Sequence, residues 1–321
     1  MISDAGGFDD KSFNQLGFEG LESASDALGV TPKTSESQSE DDFAPGLSSL
    51  VAAGCDVIVS VGFALSAATV DAAKANPDVE FAILDDAADN DFDGKTDADN
   101  IKPVLFDTAQ AAFLAGYASA SYSKAGKIGT FAGATYPTVL IFADGFAQGV
   151  DYYNKENGTD VELVGYDAKT PDEALSTGEF VANDKAKSTA QNLIDQGVDM
   201  ILPVGGPIFQ SAGAAIEDSG DDIALLGVDA DLYDTFPTYD SLYFTSILKN
   251  MAPAVEDVVT AAANDEFTTD AYLGTLENGG VGIAPFHDFE DKVDSGLSAK
   301  LDELSASIVS GDIKVTSYLS E

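Results

Sequence analysis

Asp4-Ala5-Gly6-Gly7-Phe8-Asp9-Asp10-Lys11-Ser12-Phe13-Asn14-Gln15 opens the chain as a loop running into a helix. Gly6-Gly7 lets the backbone turn sharply. Asp10 or Ser12 can cap a helix that continues through Leu16 and Leu21, because a short oxygen-bearing side chain accepts from the unpaired N–H groups of a first turn. Phe13 and Asn14 then fall in that first turn, near the carboxylate of Asp4. Acceptors, an amide and an aromatic ring at this density serve a polar ligand.

Beyond this opening, short apolar runs alternate with longer stretches at helical spacing, the pattern of strands and crossover helices in parallel α/β sheets. Strands are predicted at 57–61, 81–84, 127–132, 162–166, 200–204, 224–228, 243–248 and 281–285. Most stop at Gly, Asp or Pro, and ligands commonly sit over such strand ends. Residues 108–123, 138–154, 185–196, 252–263 and 296–310 keep apolar positions three to four apart and read as amphipathic helices. Two α/β lobes follow.

The chain of 321 residues is 45% hydrophobic, enough for a sizeable core. Its 56 acidic residues face 15 basic ones, all lysine, for a formal net charge of −41. Such a molecule repels nucleic acid and anionic lipid. Spread from end to end, the acid excess fits a halophile's surface in molar salt, where ions screen self-repulsion. Cys55 borders an apolar run and reads as a structural thiol; one cysteine forms no intrachain disulfide or cysteine zinc site. His287 is the only histidine, and no serine or cysteine is matched to it as a triad. There is no GxxxxGK[ST], since Ile128 follows Gly126-Lys127, and no GxGxxG follows an early strand. No stretch reaches the ~18 apolar residues of a membrane helix, and no signal peptide opens the chain.

The opening resembles the signature of the BMP (basic membrane protein, PnrA-like) family of ABC transporter substrate-binding lipoproteins, D-x-G-x-x-D-D-x-S-F-N-Q. Further matches follow in order: Gly62-Phe63, 81–85, Phe113-Leu114-Ala115-Gly116, Gly145-Phe146 with Gly149, Gly178 to Phe180, Gly205-Gly206, Gly227-Val228-Asp229 and Thr245 to Lys249. The resemblance implies a type I periplasmic-binding fold: two doubly wound parallel-sheet lobes, joined by three crossovers, with the ligand cleft between them. We expect the lobes at 1–126 with about 249–275, and at 127–248 with about 276–321. It further implies a non-enzymatic importer subunit that captures a purine nucleoside outside the cell membrane and hands it to permease and ATPase partners. A lipid anchor would hold it, and it would act as a monomer without a required cofactor.

Carried onto matching positions, Phe13 and Phe180 would sandwich the purine, with Asp4 and Asn14 bonding its edge. Asp107, Gly206, Asp229 and Lys249 would hold the ribose hydroxyls. Plainer roles also fit these residues: Phe13 as core, Asp107 as a helix cap, Asp229 as a turn residue and Lys249 as a solvated lysine. Carboxylates suit sugar hydroxyls, since they only accept, and they repel phosphates, so nucleosides would be preferred to nucleotides.

Two departures stand out. The family carries a signal peptide, a lipidated cysteine and most of a first strand before its signature; only Met1-Ile2-Ser3 precede Asp4, and we expect a misassigned or trimmed start. Residues 89–100 add the loop DNDFDGKTDADN, whose Asp89, Asp91, Asp93, Lys95 and Asp97 follow the spacing of calcium loops, although Asn100 replaces the glutamate of an EF-hand. An Asp-rich solvated loop and a structural Ca2+ site both fit. Beside import, the same fold can serve a ligand-sensing receptor, and aspartates around ribose can serve a nucleoside-processing enzyme.

Overall fold

The computed structural model describes residues 1–320 and divides into two units. The first comprises Met1–Phe106 and Asn250–Gly274; the second comprises Asp107–Lys249 and everything from Thr275. The chain therefore passes between units three times, at 106/107, 249/250 and 274/275.

In the first unit, α1 (Phe13–Leu28), α2 (Phe43–Ala52), β1 (Val57–Val61), α3 (Ser66–Ala75), β2 (Glu80–Leu84) and β3 (Ile101–Phe106) follow in order. Runs such as Val57-Ile58-Val59-Ser60-Val61 and Phe81-Ala82-Ile83-Leu84 lack polar alternation because both sheet faces are covered, as parallel sheets require. The sheet order is β1-β2-β3-β9, all parallel, with β9 (Tyr272–Gly274) arriving late in the chain. Residues 1–3 extend it beyond β1. Ile2 donates to Val59 O and accepts from Val61 N, and Ser3 N donates to Ser35 O. Asp4 is thereby delivered to the carboxyl edge of this sheet, beside the end of β1.

The second unit contains α4 (Thr108–Tyr122), β4 (Lys127–Ala132), α5 (Pro137–Asn157), β5 (Glu162–Val164), α6 (Asp184–Ile194), β6 (Met200–Val204), α7 (Ile208–Ser219), β7 (Ala224–Asp229), α8 (Leu232–Thr235) and β8 (Tyr243–Lys249). The chain returns to the first unit for α9 (Met251–Ala263), which packs on α1, and re-enters the second for β10 (Val281–Ile283) and α10 (Leu297–Val309). The second sheet has the order β10-β8-β7-β6-β4-β5, parallel throughout except for antiparallel β10. The mixed α/β class, the parallel sheets and the three crossovers read from the sequence are what the molecule has.

The first unit ends at Phe106, whereas the sequence reading carried it to 126. Residues 107–126 go with the second unit because α4 lies against α5 with almost no side chains between them. A Cβ at Gly116 would stand 2.1 Å from Phe146 O, and one at Gly145 would stand 2.2 Å from Ala109 O. Glycine is required where two helix backbones meet this closely. α4 is accordingly buried nearly all round.

Candidate functional site

In the first unit the opening loop builds a hydrogen-bonded frame around one carboxylate. Asp10, not Ser12, caps α1: its Oδ1 accepts from Ser12 N (3.0 Å) and Gln15 N (3.1 Å), and its Oδ2 from Asn14 N (2.9 Å). Asn14 Nδ2 donates both hydrogens inward, to Asp10 Oδ2 (3.0 Å) and Asp4 Oδ1 (2.8 Å), while its Oδ1 accepts from Asp4 N (3.2 Å). Gly6 N adds a second bond to Asp4 Oδ1 at 2.9 Å. The Asn14 amide hydrogens are thus spent inside the protein, so the residue read as bonding a ligand edge is the bracket that orients Asp4. Asp4 Oδ2 takes no hydrogen bond from the described residues. Burial pushes the Asp4 carboxyl above the ordinary carboxylate range, the bonds from Gly6 and Asn14 pull it back, and the Asp10 charge adds to the rise.

Phe13 lies next to this carboxylate. A Cβ at Gly62, just past β1, would stand 3.2 Å from Asp4 Oδ2 and 3.4 Å from Phe13 Cε1, and its φ of +108° is open only to glycine. Asp4, Phe13 and Gly62 therefore share the carboxyl edge of the first sheet.

The second unit repeats the arrangement with other residues. Phe180 rests on glycine backbone at the ends of β4 and β6: a Cβ at Gly133 would meet its Cδ1 at 2.4 Å, and one at Gly205 at 2.7 Å. Gly206 follows with φ +50°, and a Cβ there meets nothing within 4 Å. At the ends of β7 and β8, Asp229 and Lys249 form a buried ion pair, Nζ to Oδ1 3.7 Å. Lys249 Nζ also stands 5.0 Å from the centroid of the Phe142 ring, a contact the sequence reading missed. A solvated lysine is ruled out, since its side chain is 3% exposed.

Asp107 is also buried, but its carboxylate is engaged on both oxygens. Oδ1 accepts from Ser317 Oγ and Oδ2 from Gln110 Nε2, each at 2.9 Å, and Gln110 Oε1 accepts from Leu276 N at 3.0 Å. Its side chain makes no cap bond to α4. Burial raises its carboxyl above the ordinary range, and the bonds from Ser317 and Gln110 oppose the rise. Asp107 ties together the first residues of the second unit, the third crossover and the C-terminal segment, which is a structural task beside the ribose role expected for it.

In the inserted loop of the first unit, carboxylate oxygens of Asp89, Asp91 and Asp93 all lie within 4.8 Å of one another. Asp97 stands apart from this trio and accepts from Asn90 N at 2.9 Å, closing the loop. Lys95 places its Nζ 3.7 Å from Asp93 Oδ2.

The family model described as Bmp, ABC transporter substrate-binding protein PnrA-like, matches residues 1–318. The CD4+ T-cell-stimulating antigen of Listeria monocytogenes is 28% identical, over 98% of this chain and 87% of its own length. The ABC transporter nucleoside-binding protein BmpA of Lactococcus lactis is 26% identical, over 99% and 88%. Among solved structures, an ABC transporter solute-binding protein of Aeropyrum pernix superposes with a TM-score of 0.85 at 25% identity, covering 98% of this chain and 92% of that one.

Proposed function

As the chain belongs to the Bmp family of PnrA-like ABC transporter substrate-binding proteins, we propose that its solute is a purine nucleoside, delivered to a membrane permease. The observation that carries this reading is that Phe13 beside Asp4 in the first unit, and Phe180 together with the Asp229–Lys249 pair in the second, all stand at the carboxyl ends of their sheets' strands, each ring seated at glycine. An aromatic face contributes about 1–3 kcal/mol per stacked base. Asp4 Oδ2 offers an acceptor to a base donor, and the buried Asp229–Lys249 pair offers an acceptor and a donor to ribose hydroxyls. Acidic groups beside a single lysine favour an uncharged nucleoside over its phosphates. The nucleoside-binding relative in Lactococcus supports the same ligand class.

In this reading the protein binds and releases without chemistry, outside the cell membrane and held there by a lipid anchor. Calorimetric titration of guanosine, inosine, adenosine, cytidine and ribose in molar salt tests it, with Phe13→Ala as control. Saturable binding of purine nucleosides that Phe13→Ala weakens, with nucleoside recovered intact by chromatography, is expected. Silence across the panel from folded, ligand-free protein overturns the ligand assignment, and free base among the products overturns the non-enzymatic one. We propose calcium as the ion for the Asp89, Asp91 and Asp93 oxygens, which converge as a hard cation requires.

A further inference from the structure

Asp229 sits in an unusual piece of backbone. Its φ is +67°, and Ala230 N donates to Val228 O at 2.8 Å, so the strand end closes into a three-residue γ-turn of the left-handed kind. Such turns are rare and strained, and a non-glycine residue holds one only where its surroundings impose it. Two residues on, Asp231 Oδ2 lies 2.8 Å from His287 Nε2, and Asp231 Oδ1 accepts from Tyr233 N at 3.2 Å. The Tyr233 ring lies parallel to the imidazole, centroids 4.0 Å apart and planes 5° apart, and its hydroxyl donates to Asp288 Oδ1 at 3.3 Å. His287 itself has φ +45°. Leu232 N donates to Ser246 Oγ of β8 at 3.2 Å.

We propose that His287, bonded to Asp231 and stacked on Tyr233, is the positioning residue that holds the γ-turn presenting Asp229 to ligand. The proposal rests on the reading of Asp229 as a ligand residue. Histidine suits the task because one side chain supplies both a flat face for the tyrosine ring and an N–H for the carboxylate, whether or not the ring is protonated. Glutamine keeps the N–H and loses the aromatic face; alanine loses both. The Asp231 bond and the Tyr233 stack grip the loop directly after the strained turn, so their loss releases that turn before it releases the strand.

Hydrogen exchange of the ligand-free protein reads the clasp without reference to any ligand. His287→Ala is expected to speed exchange of the Ala230 and Leu232 amides about tenfold, leaving residues 224–228 unchanged, and His287→Gln to recover part of the protection. In calorimetry the same variants are expected to weaken nucleoside binding about tenfold and less than tenfold respectively. Unchanged exchange at 230–232 in folded His287→Ala overturns the proposal. So does an even rise across the whole second unit, which is what a merely structural residue would give. Should His287→Ala fold poorly, Asp231→Asn provides the same local comparison. A wild-type protein that binds no nucleoside overturns the ligand assignment alone, because the exchange result stands without it.

Discussion

Lys249 and Asp229 end neighbouring parallel strands with their charges 3.7 Å apart and their side chains 3% and 7% exposed. Removing one partner from a buried pair costs about 3–5 kcal/mol, because the remaining charge loses its compensation. Lys249→Met should therefore lower the thermal midpoint markedly. The double variant Asp229→Asn with Lys249→Met should regain most of that stability yet bind no nucleoside, the signature of a pair kept for ligand. A double variant that binds normally would remove both residues from the site.

The seat of Phe180 makes a second test, and Gly133 is the cleaner position because only space is at stake there. Alanine at 133 would put a methyl 2.4 Å from Phe180 Cδ1, so the ring must leave its place. Gly133→Ala should weaken nucleoside binding by about 1–3 kcal/mol, the size of one stacking contact. In a Phe180→Ala background the same change should have little further effect, since the two substitutions remove one interaction. Additive losses in calorimetry would mean that Phe180 does not carry the stack.

Much of this architecture was legible in the chain. Strands 57–61, 127–132 and 200–204 were read to the residue, because each is an apolar run that ends at a breaker. β3 was missed because Lys102-Pro103 looks like a loop; Pro103 is tolerated there since it precedes the point at which β9 begins to pair, at Val104. α2, α3 and α7 were missed: α3, half of it alanine, has only a faint apolar stripe, and α2 and α7 are short helices of ten and twelve residues in which small Ala, Ser and Gly residues make up half. For the site, strand-end Asp and Lys residues could be read, but partners could not. That the Asp107 carboxylate is taken up by Ser317, 210 residues away, leaves no local trace. Nor does Gly133 announce that a ring from residue 180 will rest on it.

Asp4 should confer a pH dependence on binding. Its carboxyl is held above the ordinary range by burial, so in the free protein it protonates at a higher pH than an exposed aspartate. A ligand donor at Oδ2 favours the ionised form. Affinity should thus be full above that raised value and fall as acid takes the carboxylate through it. Asp4→Asn can keep the bonds from Gly6 and Asn14 on its carbonyl oxygen, but it sets an amide donor where Oδ2 stands. It should lose about 1.5–3 kcal/mol of binding and flatten the profile. For stability the sign is opposite. A raised folded-state value means that ionised Asp4 costs stability above it, a cost relieved progressively as pH falls from that value through the ordinary aspartate range, so Asp4→Asn should hold or raise the thermal midpoint at pH 7. An unchanged binding profile in this variant would remove Asp4 from the ligand contacts.

Calcium should stabilise the inserted loop if the convergent oxygens of Asp89, Asp91 and Asp93 bind it. Loops of extracellular proteins hold calcium with dissociation constants of about 10⁻⁴–10⁻³ M. At a hundredfold excess over such a constant, linkage gives about 2.7 kcal/mol. That gain applies to the unit in which the loop sits, and its thermal midpoint should rise on adding calcium to chelator-treated protein. A chain with a formal net charge of −41 also gathers divalent ions without a site, so the comparison that decides is with Asp91→Asn and Asp93→Asn in matched calcium and magnesium. Diffuse attraction would persist in both variants and treat the two metals nearly alike. A bound ion would be lost with either carboxylate and would prefer calcium, whose larger radius tolerates an irregular oxygen shell. Equal shifts in wild type and variants would return the loop to the solvated acidic surface.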